Sequence, residues 1–132
     1  MKAYLFFLPS FIAAIILISC DTVDDRLVVI NNHSNPIAVE CSQDSILTNY
    51  NLWQFYVEKQ IKPNTSRNID KRGAWFHYIR SSNSQKLYLF IFDIDTIMKY
   101  KDMDFVVKNA LNVSRIGVTE SDLESRNWKI NY

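Results

Sequence analysis

The sequence predicts an α+β fold: one domain built on a mostly antiparallel β-sheet with two or three short helices, or alternatively a β-sandwich with helical insertions. Three observations lead there. Lys86 to Phe92 (KLYLFIF) is apolar on both faces, the pattern of a strand covered on two sides. Asp102 and Thr119 stand where helices would start, the second with an acidic residue, Asp122, three positions on. Other short runs alternate apolar and polar residues between turn-forming clusters, and no internal repeat or low-complexity tract interrupts them.

Taken in order, Arg26 to Asn31 (RLVVIN) reads as a strand, Asn32 to Pro36 as a turn, and Ile37 to Ser42 as a second strand, so that the two form a hairpin. Gln43 to Asn51 is a polar loop. Trp53, Phe55 and Val57 alternate with Gln54, Tyr56 and Glu58, which predicts a strand reaching about Ile61 before a turn at Pro63-Asn64-Thr65-Ser66. Ala74 to Ser81 fits a short helix through Trp75, Tyr78 and Ile79, or a strand through Trp75, His77 and Ile79; the helical spacing is preferred. The strand Lys86 to Phe92 belongs at the sheet centre. A short helix follows within Asp102 to Leu111, then a brief strand, Arg115 to Val118. A helix capped by Thr119 runs to about Arg126, and a final strand carries Trp128, Ile130 and Tyr132 on one face.

The start of the chain has a different character. Met1-Lys2 precedes an uncharged, mostly apolar stretch, Tyr4 to Ser19, that ends at Cys20 and is followed at once by Asp21. A spanning helix wants about 20 apolar residues, so length alone leaves a signal peptide and an uncleaved anchor open. Leu17-Ile18-Ser19-Cys20 resembles the bacterial lipobox. That resemblance implies a diacylglycerol on the Cys20 thiol, cleavage between Ser19 and Cys20, and a fatty acyl chain such as palmitate on the new amine. The expected organisation is a signal peptide over 1–19, an acidic tether over 20–25 and a globular domain over 26–132. The implied partner is a membrane, reached through lipidated Cys20. One acyl chain binds a bilayer only marginally, whereas two or three hold effectively permanently.

Three further segments resemble small lipoproteins of Bacteroidota: Ile30-Asn31-Asn32, with His33 where that pattern has Ser; the strand Leu87 to Asp93; and Thr119, Asp122, Leu123, Asn127, Trp128, Ile130 and Tyr132. The group has no assigned activity, so the resemblance implies a cell-envelope, outer-membrane lipoprotein and transfers no catalytic site. Asp21, Asp24 and Asp25 resemble the acidic signals that send such proteins to the cell surface. Asp21-Thr22-Val23, Asp44-Ser45-Ile46 and Asp95-Thr96-Ile97 resemble the O-glycosylation signal of exported Bacteroidota proteins, making Thr22, Ser45 and Thr96 candidate acceptors.

Little else carries chemistry. The whole chain has 15 basic and 14 acidic side chains, and only Lys2 among these precedes Cys20, so the remainder is balanced and offers no basic stripe for nucleic acid. Cys41 would have no disulfide partner and, sharing a face with Ile37 and Val39, reads as a buried hydrophobe. Gly73 and Gly117 are the only glycines, which excludes a P-loop or dinucleotide fingerprint. His33 and His77 sit in no metal-ligand spacing, so neither a metal nor another cofactor is expected. Two functional classes remain: a non-enzymatic module binding a protein or glycan, with Trp53, Tyr56 and Trp75 as a stacking surface, or a small envelope hydrolase using His77 with Asp93 or Asp95.

Overall fold

The computed structural model describes residues 22–132. The Cys20 box and the cleavage expected after Ser19 therefore lie outside the described residues. The elements run β1 (Val23–Asp24), β2 (Val28–Asn31), β3 (Ile37–Ser42), α1 (Trp53–Glu58), β4 (Thr65–Asn68), β5 (Lys71–Arg72), α2 (Trp75–Arg80), β6 (Lys86–Asp93), α3 (Ile94–Tyr100), α4 (Met103–Lys108), β7 (Val113–Thr119), α5 (Glu120–Ser125) and β8 (Lys129–Asn131). The fold is α+β, as the sequence predicts, with more helices than expected.

Strand β6 is the middle of an antiparallel sheet ordered β3-β6-β7. Its side chains feed two separate cores. Leu87, Leu89 and Ile91 join Ile37 and Val118 on one face, where a second sheet ordered β4-β2-β8 contributes Val29 and Ile130 and helices α2 and α5 add Trp75, Ile79 and Leu123. Phe90 and Phe92 join Ala38 on the other face beneath α1, α3 and α4, which supply Tyr56, Ile94, Ile97, Met103 and Val106. The layers are thus sheet, sheet and helices. In the second sheet β2 lies antiparallel to β4 and parallel to β8, and β1 forms a small ribbon with β5.

Several expectations are corrected. Residues 26–31 and 37–42 do not form a hairpin, because β2 and β3 belong to different sheets. Asn31 explains the divergence. It is fully buried; its Nδ2 donates to the carbonyls of Asn35 (2.8 Å) and Ile61 (3.0 Å), and its Oδ1 accepts from the His33 N–H (2.9 Å). A buried amide satisfied this fully fixes the turn and sends the chain across to the other sheet. The expected strand at Trp53 is helix α1: Tyr56 is buried, Trp53 and Val57 half-buried, and Phe55 exposed. Thr65 and Ser66, read as part of a turn, open strand β4.

Helix α3 follows β6 directly. Asp93 caps it, its side chain accepting from the Thr96 N–H (3.1 Å), and Lys101 in the left-handed region (φ 52°) stops it. Helices α2, α4 and α5 fall where the sequence places them. Asp102 caps α4, and Thr119 and Asp122 form a reciprocal capping box on α5. The far end of α5 closes as a Schellman motif: Asn127 at φ 51° donates to the Glu124 carbonyl, and the Trp128 N–H reaches the Leu123 carbonyl at 2.7 Å.

The segment read as a tether over 20–25 is partly folded. Val23 and Asp24 pair with Arg72 and Lys71. The Asp24 carboxylate accepts from the Arg26 guanidinium at 2.7 and 2.9 Å and from the Trp75 N–H at 2.9 Å. The Arg26 bonds, and secondarily that N–H, outweigh desolvation and hold the Asp24 carboxyl at about 2, against an ordinary 3.8.

Two predictions follow from this architecture. Leu89→Ala should cost about 2–5 kcal/mol and Phe90→Ala about 3–5 kcal/mol, each by emptying a different core. Denaturant unfolding of the two variants checks this; wild-type stability for either would remove its core from the account. Because the Asp24 pKa is lower in the folded than in the unfolded chain, its contribution is complete above pH about 4 and disappears as pH falls through about 2. Asp24→Asn should lose roughly 1–2 kcal/mol at pH 7, discounted because Arg26 is half exposed. Unfolding curves of the two proteins should converge near pH 2.

Candidate functional site

A cleft of about 290 Å³ lies between the β3 edge of the central sheet and the strands β4 and β5. Local sequence sets its shape. Ile37 and Ile61 exchange backbone hydrogen bonds (3.0 and 2.7 Å), forming a single bridge beside β3. The bridge is antiparallel, so the residue that would oppose Val39 is Lys59, which instead ends α1. Past Ile61, Pro63 and Asn64, the latter at φ 55°, turn the chain into β4, and β3 has no neighbour on this side from Val39 onward. The cleft occupies that gap.

Val39, Cys41, Ile61 and Trp75 give the cleft apolar lining, and Phe55 of α1 and Tyr78 of α2 stand at its sides. Lys59, Arg67, Lys71 and Arg72 also line it, together with Glu40 and Asp70. The Lys71 ammonium sits 3.9 Å from the centre of the Tyr78 ring, and that of Lys59 sits 5.4 Å from the Phe55 ring. Glu40 is occupied elsewhere: it accepts from the Tyr56 hydroxyl (2.7 Å), the Asn51 side-chain amide (3.2 Å) and the Cys41 N–H (3.3 Å). Burial, then the Glu40 carboxylate, pushes the Tyr56 phenol well above its ordinary range. The Trp75 indole N–H is buried without a hydrogen-bond partner, the one such side-chain atom among the described residues.

This grouping was not read from the sequence. The local signal is present, since residues 59–72 hold five basic side chains against the single acid Asp70. They form no regular stripe because a helix end, a strand and a ribbon each contribute some of them.

The residues singled out from the sequence are dispersed. Trp53, Tyr56 and Trp75 form no stacking surface: Trp53 and Tyr56 pack in the helix-side core and Trp75 in the sheet-side core. Only Trp75 touches the cleft. His77 is exposed on α2 beside Phe76, their ring centres 4.0 Å apart. Asp93 is committed to capping α3, Asp95 is exposed in its first turn, and no hydrogen bond or ion pair joins either to His77 among the described residues. The hydrolase constellation is not assembled. His33 lies exposed in its turn, its ring 4.5 Å from Tyr132. No cluster of three or more His, Cys, Asp or Glu side chains suited to a metal occurs among the described residues. Thr22 and Ser45 are exposed, whereas Thr96 is buried and accepts from the Asn112 side chain at 2.9 Å. Folded, Thr96 offers no hydroxyl to a glycosyltransferase.

Comparison with protein-family models, curated proteins and solved structures gives no match to this chain.

Cys41 is a free thiol in the cleft lining, with its side chain on the face of Ile37 and Val39. Burial first, and the Glu40 charge second, push it up to about 12 against the opposing pull of Lys71. A thiol held neutral is a poor nucleophile. Native protein at pH 8 should alkylate at Cys41 at least about tenfold more slowly than denatured protein, as read by mass spectrometry of the Cys41 peptide. Equal rates would show an activated cysteine.

Proposed function

We propose that this chain is an exported lipoprotein, anchored in the bacterial outer membrane through Cys20, whose domain binds a partner rather than transforming a substrate. The anchoring half is carried by the Leu17-Ile18-Ser19-Cys20 box at the end of the apolar stretch. The binding half is supported by the cleft between the sheets, whose lining combines apolar, aromatic and cationic side chains in the manner of a recognition site. The acidic run after Cys20 favours display on the outer face of the cell. Asp24 also serves the fold, leaving Asp21 and Asp25 as the residues with which to test that signal.

Expression in a Bacteroidota host, with lipid labelling and protease treatment of intact cells, tests both location and attachment. Wild type should incorporate lipid and be cleaved from outside. Cys20→Ala should accumulate as unlabelled precursor, and Asp21→Ala with Asp25→Ala should stay labelled but become protected. Normal maturation of the Cys20→Ala chain would overturn the anchor, and a protected wild type would overturn surface display.

A further inference from the structure

We propose that the open edge of β3 accepts an extended acidic peptide segment of a partner protein as an added strand within the cleft. The proposal deepens the binding half of the function above and is independent of the anchoring half.

The backbone geometry is decisive. In an antiparallel pair, successive residues alternate between bonding their partner through both backbone groups and turning both groups away. Ile37 directs its N–H and its carbonyl to Ile61, away from β6. By that alternation Val39 and Cys41 also point away from β6, while Ala38, Glu40 and Ser42 bond it. Ile61 is a single-residue bridge, so nothing continues it along β3. The Cys41 N–H is taken by Glu40, at 3.3 Å. The Val39 N–H, the Val39 carbonyl and the Cys41 carbonyl make no hydrogen bond among the described residues, and both residues line the cleft. The missing neighbour would extend the bridge that Ile61 begins, over roughly 10 Å of strand.

The lining selects the occupant. An added strand sends side chains alternately to opposite faces. One set would meet the apolar surface of Val39, Cys41 and Ile61; the other would meet a rim carrying Lys59, Arg67 and Lys71. Arg67 is half-buried; its backbone pairs with Val29, but its side chain makes no hydrogen bond or ion pair to another described residue, a guanidinium suited to a carboxylate. A segment alternating apolar and acidic residues satisfies both the main-chain edge and the cations. This is strand addition, in which backbone bonds supply affinity and side-chain surroundings supply choice.

The test uses the full chain purified in detergent. The probe is a short blocked peptide alternating valine with aspartate, compared with its lysine-substituted counterpart and with a version N-methylated on its bonding edge. The acidic peptide should bind saturably and slow hydrogen exchange at the Val39 amide. N-methylation and Arg67→Glu should each weaken it about tenfold, and Arg67→Glu should narrow the preference over the lysine peptide. Equal binding of the N-methylated peptide, or an unchanged Val39 amide, would overturn strand addition. Displacement by an acidic oligosaccharide with no peptide preference would assign the cleft to a glycan instead, and self-association through β3 in the absence of peptide would assign it to a second copy. Any of these could occur with lipid labelling intact, so failure here is distinguishable from failure of the anchor.

Discussion

Strand β6 has no face that can be left in water. Leu87, Leu89 and Ile91 on one side and Phe90 and Phe92 on the other are all buried, and each side requires its own cover. Burying side chains of this size contributes roughly 1.5–3 kcal/mol each, so a chain that covered one face alone would forfeit a large part of its stability. The domain meets the constraint with two unlike layers. A second sheet lies over the aliphatic face and three short helices over the aromatic one. The sheet brings β-branched side chains such as Val29 and Ile130 to the aliphatic face, where α2 and α5 add Trp75 and Leu123, while α1, α3 and α4 bring Tyr56, Ile97 and Met103 to the aromatic one.

Short elements need their ends secured by something other than length. Among the described residues no helix exceeds seven residues, too short to persist in water unaided. Three of them, α3, α4 and α5, are started by carboxylate or hydroxyl caps at Asp93, Asp102 and Thr119, and α5 is also closed by the Asn127–Trp128 turn. Asn31 and Asp24 do comparable work between layers: one buried amide joins the exit of β2 to Ile61, and one carboxylate joins β1 to the first turn of α2. Asn31, Asp93, the Thr119–Asp122 box and the Asn127–Trp128 turn all map onto this scaffolding, each with a structural task.

That mapping also explains what could be read in advance. The central strand, α4 and α5 were legible because their signals are local: unbroken apolar alternation in one case, caps in the others. Helix α1 was not, for it has Leu52 at its N-cap with no side-chain bond and no acid in its first turn, and its aromatic residues mimic strand alternation. The supposed hairpin failed for the opposite reason. Its strands were read correctly, but their partners were decided by Asn31 reaching Ile61, thirty residues away. The cleft depends on such distant contacts throughout. Lys59, Arg67 and Lys71 come together only once the sheets diverge, so neither their spacing nor the charge balance announced them.

The divergence itself has a cost that bears on what the cleft is for. Extending the residues before Ile61 along β3 would have paired the Val39 backbone groups and closed the gap; instead Lys59 ends helix α1 and the chain joins β3 at Ile61 alone. Free backbone groups on a strand edge invite pairing with other chains, and proteins commonly guard such edges with charge. Here the guard is nearly all of one sign once Glu40 is discounted as already bonded, with Asp70 the only other acid in the lining. A same-sign guard repels cationic strands and admits anionic ones, so it filters partners as well as preventing aggregation. Two of these cations, Lys59 and Lys71, are set against the Phe55 and Tyr78 rings before any partner arrives, which lowers the ordering cost of binding. An edge left open, flanked by cations and lined by apolar side chains, is better explained by selection for an acidic strand than by a sheet that merely ended early.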